Sequence, residues 1–337
     1  MSDYDIIVIG GGAAGLSGAL TLARARRSVL VLDAGRPRNA PAAGVHGFLT
    51  RDGLPPTELV ELGAAEVIRY GGEVRTTRAV GARRGGPGFV VRTADGAEAG
   101  ARRLLLASGL VDELPEVPGL AERWGRDVLH CPYCHGWEVR DQAIGVLATG
   151  PNAVHQALLF RQWSERVTLF QHTGPELTEE QREQLTARGV DLVDGDVAGL
   201  EIVHDELAGV RLAGGRVVGC TALVVMPRMV APADVVDELG LAVVDHPFGE
   251  HLPADPFGLT PAPGVWAAGN ARNLAANVVV AAAEGVTAAA AVNADLVEED
   301  TRLAVERRRD PFSAAAESAN CARLLGERRH GLTTSVA

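Results

Sequence analysis

A glycine run near the start of the chain, Gly10-Gly11-Gly12-Ala13-Ala14-Gly15, lies directly behind the apolar stretch Asp5 to Ile9. Gly10, Gly12 and Gly15 fit the spacing G-x-G-x-x-G, in which each glycine has its own task. The first makes a tight turn, the second lets a pyrophosphate approach the backbone, and the third allows close helix–strand packing. An Ala-rich helical stretch with Leu16, Leu20 and Leu22 follows, and Val29 to Leu32 reads as a second strand ending at Asp33. The helix start offers unpaired N–H groups and the positive end of its dipole to a phosphate. Asp33, about twenty residues on, stands where a carboxylate accepts a hydrogen bond from a ribose hydroxyl. A glycine triplet alone is equally a tight turn with no ligand. Here strand, helix and acidic terminus agree, so a nucleotide is expected at Gly10, Gly12, Ala14, Gly15 and Asp33. The motif does not separate FAD from NAD.

The pattern recurs at Ile144 to Ala148, through Gly150 and a helical Ala153 to Trp163, returning as Val167 to Phe170. Two such units predict an α/β fold with two Rossmann-like, three-layer (ββα) nucleotide-binding modules. Gly264 to Asn270 reads as another buried strand meeting a turn, ahead of a long helix from about Asn277. The Gly- and Pro-rich segments Leu114 to Gly119 and Pro247 to Pro263 are the expected crossings. They divide the chain into a discontinuous module, 1–115 with 248–337, and an inserted one, 116–247. Residues 302–337 are charged and then polar, and are expected as a helix with a loose end.

A length of 337 residues also suggests two domains. With 47% hydrophobic and 22% charged residues, the composition is that of an ordinary globular chain. A formal charge of −11 argues against nucleic acid, whose nonspecific binding rests on clustered cations. There is no lysine anywhere, which excludes a Schiff base and any Walker lysine. The N-terminal residues carry neither a basic start nor a cleavage site, and Asn277 to Val292, interrupted by Glu284, reads as a buried helix rather than a membrane span. A cytoplasmic protein with no membrane partner is expected. Of the 4 cysteines, a close pair in a reducing compartment is catalytic or metal-binding rather than a structural staple.

That pair is Cys131-Pro132-Tyr133-Cys134-His135, and it admits four readings. C-x-x-C-H is the attachment string of c-type haem, but that chemistry follows export. Zinc needs two further ligands, and Cys220 and Cys321 are isolated, so no metal is expected. A small thioredoxin fold places its pair near the start of a chain of about a hundred residues, whereas this one lies between two nucleotide modules. The fourth reading is a dithiol exchanging electrons with a flavin. Two intervening residues let the sulfurs form a disulfide, and a neighbouring imidazole lowers a thiol pKa. His135, whose ordinary pKa lies near neutrality, is the candidate proton acceptor; a solvated histidine at a helix start is the plainer alternative. His130 and His155 have no motif support and are expected to be structural.

From Tyr4 to about Glu299 the chain resembles the low-molecular-weight thioredoxin reductase family. The resemblance includes Leu104-Leu105-Leu106-Ala107-Ser108-Gly109 and Gly264 to Asn270. It implies FAD, with Gly109, Gly269 and Asn270 among its contacts; Asn270 replaces the family's ribityl-binding Asp, and its amide would donate to a ribityl oxygen. Asn277 and Val278, at the helix start, would lie beneath the flavin pyrimidine. Arg38 and Asn39, in the loop from Arg36, would lie with His46 along the adenosine and flavin. The resemblance also implies that Cys131 is the exchanging sulfur, that Cys134 meets the flavin ring, and that the protein is a homodimer.

The second module departs from that family. Its turn, Ala148-Thr149-Gly150-Pro151-Asn152-Ala153, lacks the first glycine, and Gln171-His172-Thr173 stands where family reductases carry the arginines that hold a 2′-phosphate. A flavin module with this cysteine motif and an eroded nicotinamide site is similar to the FAD-dependent dithiol oxidases of gliotoxin- and holomycin-type products. The resemblance implies a small-molecule dithiol as substrate and O₂ as acceptor. An NAD(P)H-dependent disulfide reductase and a non-catalytic flavin redox sensor remain the alternatives.

Overall fold

The computed structural model describes residues 3–232, 235–310 and 314–325. The chain divides into two compact units, Met1–Ala290 and Ala291–Ala337, with the boundary inside the helix Val278–Arg309. The first unit holds both parallel sheets, and 291–337 of the expected first module falls in the second. The second continues that helix and adds Ala314–Leu325. Of 302–337, expected as a helix with a loose end, residues 311–313 and 326–337 lie outside the described residues.

Tyr4–Ile9 is the central strand of the first sheet. Ile6, Ile7 and Val8 are fully buried, because a parallel strand covered on both faces must be apolar throughout rather than alternating. Burial of each such side chain contributes about 1.5–3 kcal/mol. The helix Ala13–Arg24 returns the chain to Val29–Asp33, which pairs in parallel on one side, while Glu98–Leu106 pairs in parallel on the other. Glu73–Thr76 extends one edge, and Val265–Ala267 adds in parallel to the far end of Glu98–Leu106. An antiparallel meander, Ala79–Gly85 and Gly88–Thr93, completes the 7-stranded sheet.

The second sheet repeats the arrangement. Ala143–Leu147 is flanked in parallel by Arg166–Phe170 and Ala222–Val224, with Val190–Val193 and Val128–Leu129 at the edges. In both sheets the turn after the central strand opens where neighbouring strands leave in opposite directions. That is the switch point at which open α/β sheets bind ligands. The mixed α/β fold with Rossmann-like parallel strands is therefore as the sequence implies.

Two smaller sheets have no counterpart in the sequence reading. Val197–Val203, Glu206–Leu212 and Val217–Val218 form an antiparallel ladder beside the second sheet. Val111–Glu113 pairs antiparallel with Arg228–Val230, so the chain's exit from the first sheet and its return from the second run side by side.

One close approach fixes the long helix. A side chain on Gly285 would lie 2.0 Å from the Ala14 carbonyl, and one on Gly269 would lie 2.8 Å from Ala14 Cβ. Only glycine at both positions lets the long helix and the late turn pack on the helix that follows the glycine run.

Candidate active site

Gly10 has φ of +106°, and its N–H donates to the Leu32 carbonyl at 2.8 Å. A side chain there would lie 2.2 Å from the Ala107 oxygen, and one on Gly15 would lie 1.8 Å from the Gly10 oxygen. Packing alone demands both glycines. Gly12 is different, because a Cβ at that position meets nothing within 4 Å. It caps the Ala13–Arg24 helix without a side-chain hydrogen bond, and the first turn has no acidic residue. The open side of the turn therefore presents uncompensated N–H groups, which suits an anion. Gly11 N–H donates to Asp33 Oδ1 at 3.1 Å, holding that carboxylate at the edge of the turn.

The remaining expected contacts fall into two groups. Arg38 forks onto Asp112 through Nε (2.7 Å) and Nη2 (2.6 Å), while its Nη1 reaches Asn270 Oδ1 at 3.4 Å. Asn39 is half-buried in the same loop, and Gly109 turns with φ of +72° and open space where a Cβ would be. Gly269 donates its N–H to Glu284 Oε2 at 2.9 Å, and the other Glu284 oxygen accepts from Asn273 Nδ2 at 2.7 Å. The charge inside the Ala-rich helix is thus a partner for the late turn.

Asn270 and Asn277 both have hydrogen-bond partners within the chain. The loop at 273–276 folds back over Asn270, so its amide donates to the carbonyls of Asn273 (3.0 Å) and Ala276 (2.9 Å) rather than standing free for a ribityl oxygen. Asn277 Oδ1 accepts the Val280 N–H at 3.0 Å, which makes it the N-cap of the long helix that starts at Val278. His46 lies between Asp52 (Nδ1–Oδ2 3.4 Å) and Glu138 (Nε2–Oε1 3.4 Å), which ties its loop to the segment after the cysteine pair.

Cys131 and Cys134 form a disulfide with Cα atoms 5.3 Å apart. Cys131 caps the short helix Pro132–His135, and Pro132 at the first position presets its backbone. Trp163 fixes this turn from below: a side chain on Gly136 would lie 2.9 Å from its ring, and Tyr133 meets it edge-on with centroids 5.8 Å apart.

Both ring nitrogens of His135 are buried and lack a hydrogen-bond partner. Burial holds its pKa below the ordinary value, with the Glu138 carboxylate opposing and His46 adding to the depression. The expectation of a group titrating near neutrality is corrected in that sense: at pH 7 the ring is neutral and able to accept a proton. His130 is pushed down to about 4, first by burial and then by the Arg38 charge. Cys220 is buried and pushed up to about 12 by desolvation, so it is inert as a thiolate, whereas Cys321 is exposed. Among the described residues, no group of three or more His, Cys, Asp or Glu is arranged to hold a metal ion.

A cavity of about 680 Å³ opens at the second switch point, lined by Glu113, Glu116, Thr149, Asn152, Gln156 and Arg228 among others. Gln156 is 4% exposed; its Nε2 reaches the His130 carbonyl at 3.5 Å, and its Oε1 has no partner. Arg228 is held by Glu113 and Glu250. At the end of Arg166–Phe170, Gln171 spends its amide on the Gly174 and Pro175 carbonyls, and His172 Nδ1 accepts the Val197 N–H. Arg161 and Arg166 donate to backbone carbonyls near the opposite end of that strand. The donor set does not fit a 2′-phosphate, because a dianion would face Glu113 and Glu116 without an arginine fork.

Sequence reading did not reach Asp112, Glu138, Gln156, Trp163 or Gly285. Each acts through a partner far along the chain. Only Glu284, a single carboxylate in an Ala-rich helix, carried a local signal.

The fold and this site define a class. Residues 4–285 match the model of the pyridine nucleotide-disulphide oxidoreductase family, and the chain belongs to that family. It is a flavin-dependent thiol–disulfide oxidoreductase. The chain is 32% identical to the thioredoxin reductase sirT of Leptosphaeria maculans, over 87% of this chain and 94% of that one. It is also 32% identical to the thioredoxin reductase tcpT of Claviceps purpurea, over 81% and 88%. Among solved structures, HlmI superposes with a TM-score of 0.86 at 46% identity, covering 92% of this chain and 98% of its own. An oxidoreductase from Agrobacterium tumefaciens superposes at 0.83 with 38% identity, over 88% and 99%.

Proposed function

We propose that the protein is an FAD-dependent oxidase of small-molecule dithiols, with the Cys131–Cys134 disulfide as the group that receives the substrate. The observation that carries the reading is one contrast. A disulfide adjoins a neutral, unpartnered imidazole that feels His46 of the first module, while the second module offers no cation fork for a 2′-phosphate.

The first glycine turn fits FAD: Gly12 is open where pyrophosphate would approach, the helix start is uncapped, and Asp33 is held at the ribose position. In the proposed division, 1–115 with 248–337 holds the cofactor and 116–247 carries the cysteine pair. Bound there, FAD would supply an acceptor for the electrons of the enzyme dithiol, with O₂ as the final oxidant and H₂O₂ as its product.

The chain's own residues perform the exchange. A substrate thiol gives its proton to His135, and the thiolate attacks Cys131 Sγ, with Cys134 leaving as thiolate. The second substrate thiol, on losing its proton, attacks the substrate sulfur of the mixed disulfide, and Cys131 leaves. The substrate is oxidised to its disulfide, and the two protons it gave up pass to the Cys134 and Cys131 thiolates, so the enzyme pair is left as a dithiol. His135, neutral at pH 7, takes the proton transiently and returns it to the leaving cysteine thiolate.

The unpartnered Gln156 oxygen in the second cavity favours a second reading, an NAD(P)H-dependent disulfide reductase. One experiment separates the two. Anaerobic yellow protein receives NADPH, then NADH, then dithiothreitol, and finally air. Bleaching by the dithiol alone, with peroxide after air, is the expected result; bleaching by either nicotinamide overturns it.

A further inference from the structure

Two large rings stand in water beside the disulfide. Tyr133 lies between the cysteines and is 71% exposed, and Trp137, in the turn just past Cys134, is 65% exposed. Chain reach keeps the Trp137 Cα within about 11 Å of the Cys134 Cα, which is within the span of a ring-bearing molecule seated on the sulfurs. A single exposed aromatic needs no explanation. These two differ because each is fixed from behind while it remains open to solvent.

Phe160 is fully buried and packs on Trp163 with centroids 6.0 Å apart, and Trp163 in turn meets Tyr133 edge-on at 5.8 Å. Gly136 lies against the same Trp163 ring, which fixes the chain just ahead of Trp137. Glu138, just after it, is tied to His46 at 3.4 Å. The Arg140 guanidinium covers one face of the Trp137 ring, 4.2 Å from its centroid, and its Nη1 donates to the Trp137 carbonyl at 2.7 Å. A ring pinned in this way has given up its rotamer freedom before a ligand arrives, so contact with its free face costs little entropy.

We propose that Tyr133 and Trp137 are specificity-determining stacking plates, and that the dithiol taken by this site is an uncharged small molecule built on a planar, unsaturated ring. This rests on the dithiol-oxidase reading. Ring faces favour planar apolar partners over flexible polar ones. A cation is disfavoured at Trp137, because Arg140 already occupies one face and its charge repels a second. An anion meets the half-exposed Glu138 carboxylate next along the chain. Both rings act by binding and orienting the carrier of the thiols, apart from the reacting sulfurs.

The test compares dithiothreitol, butanedithiol and ortho-xylylene dithiol, which close cyclic disulfides of the same ring size, with reduced thioredoxin as a protein dithiol. The FAD-loaded protein is assayed for peroxide in air as wild type, Trp137→Leu, Trp137→Phe, Tyr133→Leu and Arg140→Gln. The aromatic dithiol is expected to exceed butanedithiol about tenfold in kcat/KM, with the difference in KM. Trp137→Leu and Tyr133→Leu, which keep apolar bulk, each lower that ratio about threefold, Trp137→Phe restores most of it, and Arg140→Gln lowers it about twofold. A ratio between two dithiols cancels general damage to the cysteine turn. Separately, the ¹⁵N-labelled indole signal of Trp137, assigned by its loss in Trp137→Leu, is expected to shift with ortho-xylylene glycol, the same carrier without sulfur, and not with butanediol.

Equal kcat/KM for the aromatic and aliphatic dithiols overturns the proposal and leaves the oxidase reading standing. A preference for reduced thioredoxin overturns it too, since the rings would then dock a protein. So does an indole signal that responds to dilution and not to the glycol, which marks a contact between copies of the chain. An indole shift with the glycol, while no dithiol is oxidised, upholds the plates and overturns the dithiol-oxidase reading instead.

Discussion

The two turns at the sheet switch points occupy equivalent places and have been treated differently. At Gly10 to Gly15 the glycines have two separable reasons to exist. Gly10 and Gly15 are demanded by backbone carbonyls about 2 Å from where a Cβ would be, whereas Gly12 has empty space in front of it. At Ala148 to Ala153, the start of the turn already carries a side chain, Gly150 faces open space, and the polar groups beyond the next strand are spent on the protein's own backbone. The scaffold that builds a nucleotide turn is therefore present twice. Both turns hold a glycine that faces open space; the first adds an uncapped helix start and the placed Asp33 carboxylate, and the second has the unpartnered oxygens of Gln156 and Gln171 nearby. A retained strand–turn–helix says that a fold has been inherited; an uncapped helix start beside a held carboxylate is what sets the first turn apart.

The largest expected effect comes from attacking the packing half of the first turn. Gly15→Val would bury a branched side chain against the Gly10 carbonyl, and the helix would have to move off the sheet, at a cost above about 4 kcal/mol. We expect loss of the folded, coloured protein, read as a collapsed thermal transition and absent visible absorbance. A stable yellow variant would mean that the turn is looser than described. Next comes the residue that stands between the two turns. The His130 ring feels Arg38 on one side, while its carbonyl is reached by Gln156 on the other.

The folded pKa of His130 is about 4, against 6.5 for the free side chain. Its neutral burial therefore contributes stability that is fully present above pH 6.5 and is lost as pH falls toward 4, because the unfolded chain takes up the proton first. The loss is up to about 3 kcal/mol. Urea unfolding of wild type and His130→Gln at pH 7 and pH 4.5 measures it: the variant is expected to lose less stability on acidification. Equal losses would place His130 in a wetter site.

Much of this was legible in the chain. The strand–glycine–helix pattern is local, and its three glycines, Asp33 and the C-x-x-C pair are all defined by spacing over a few dozen residues, so periodicity and turn chemistry suffice to find them. Missing from the sequence reading were residues whose role is set by a partner far away. Asp112 matters because Arg38 forks onto it, Glu284 because the Gly269 amide needs an acceptor, and Glu138 because His46 comes to rest beside it. Asn270 and Asn277 show the converse. Resemblance directed attention to them, and their partners in a carbonyl-rich loop and at a helix start were set by folding that spacing does not reveal. Val111–Glu113, Val217–Val218 and Arg228–Val230 escaped because two or three residues carry no periodicity.

The finest discrimination between the turns is one substitution made twice. Gly12→Ala introduces a methyl group that touches nothing in the protein, at a backbone conformation any residue adopts, so folding stability without cofactor should change by less than about 0.5 kcal/mol. Any larger effect must come from what the methyl displaces. We expect FAD affinity to fall about tenfold to a hundredfold, measured by reconstituting apoprotein with FAD and following flavin fluorescence. Gly150→Ala is geometrically the same experiment, since its Cβ also meets nothing within 4 Å. If the second turn is an inherited scaffold, this variant keeps wild-type stability, FAD content and peroxide yield. If nicotinamide nucleotides bind there, the methyl meets their phosphates and the thermal shift that NADH or NADPH produces in wild type disappears. The smallest predicted change is thus the one that decides which reading of the second turn survives, because a null result at Gly150 has meaning only beside the loss at Gly12.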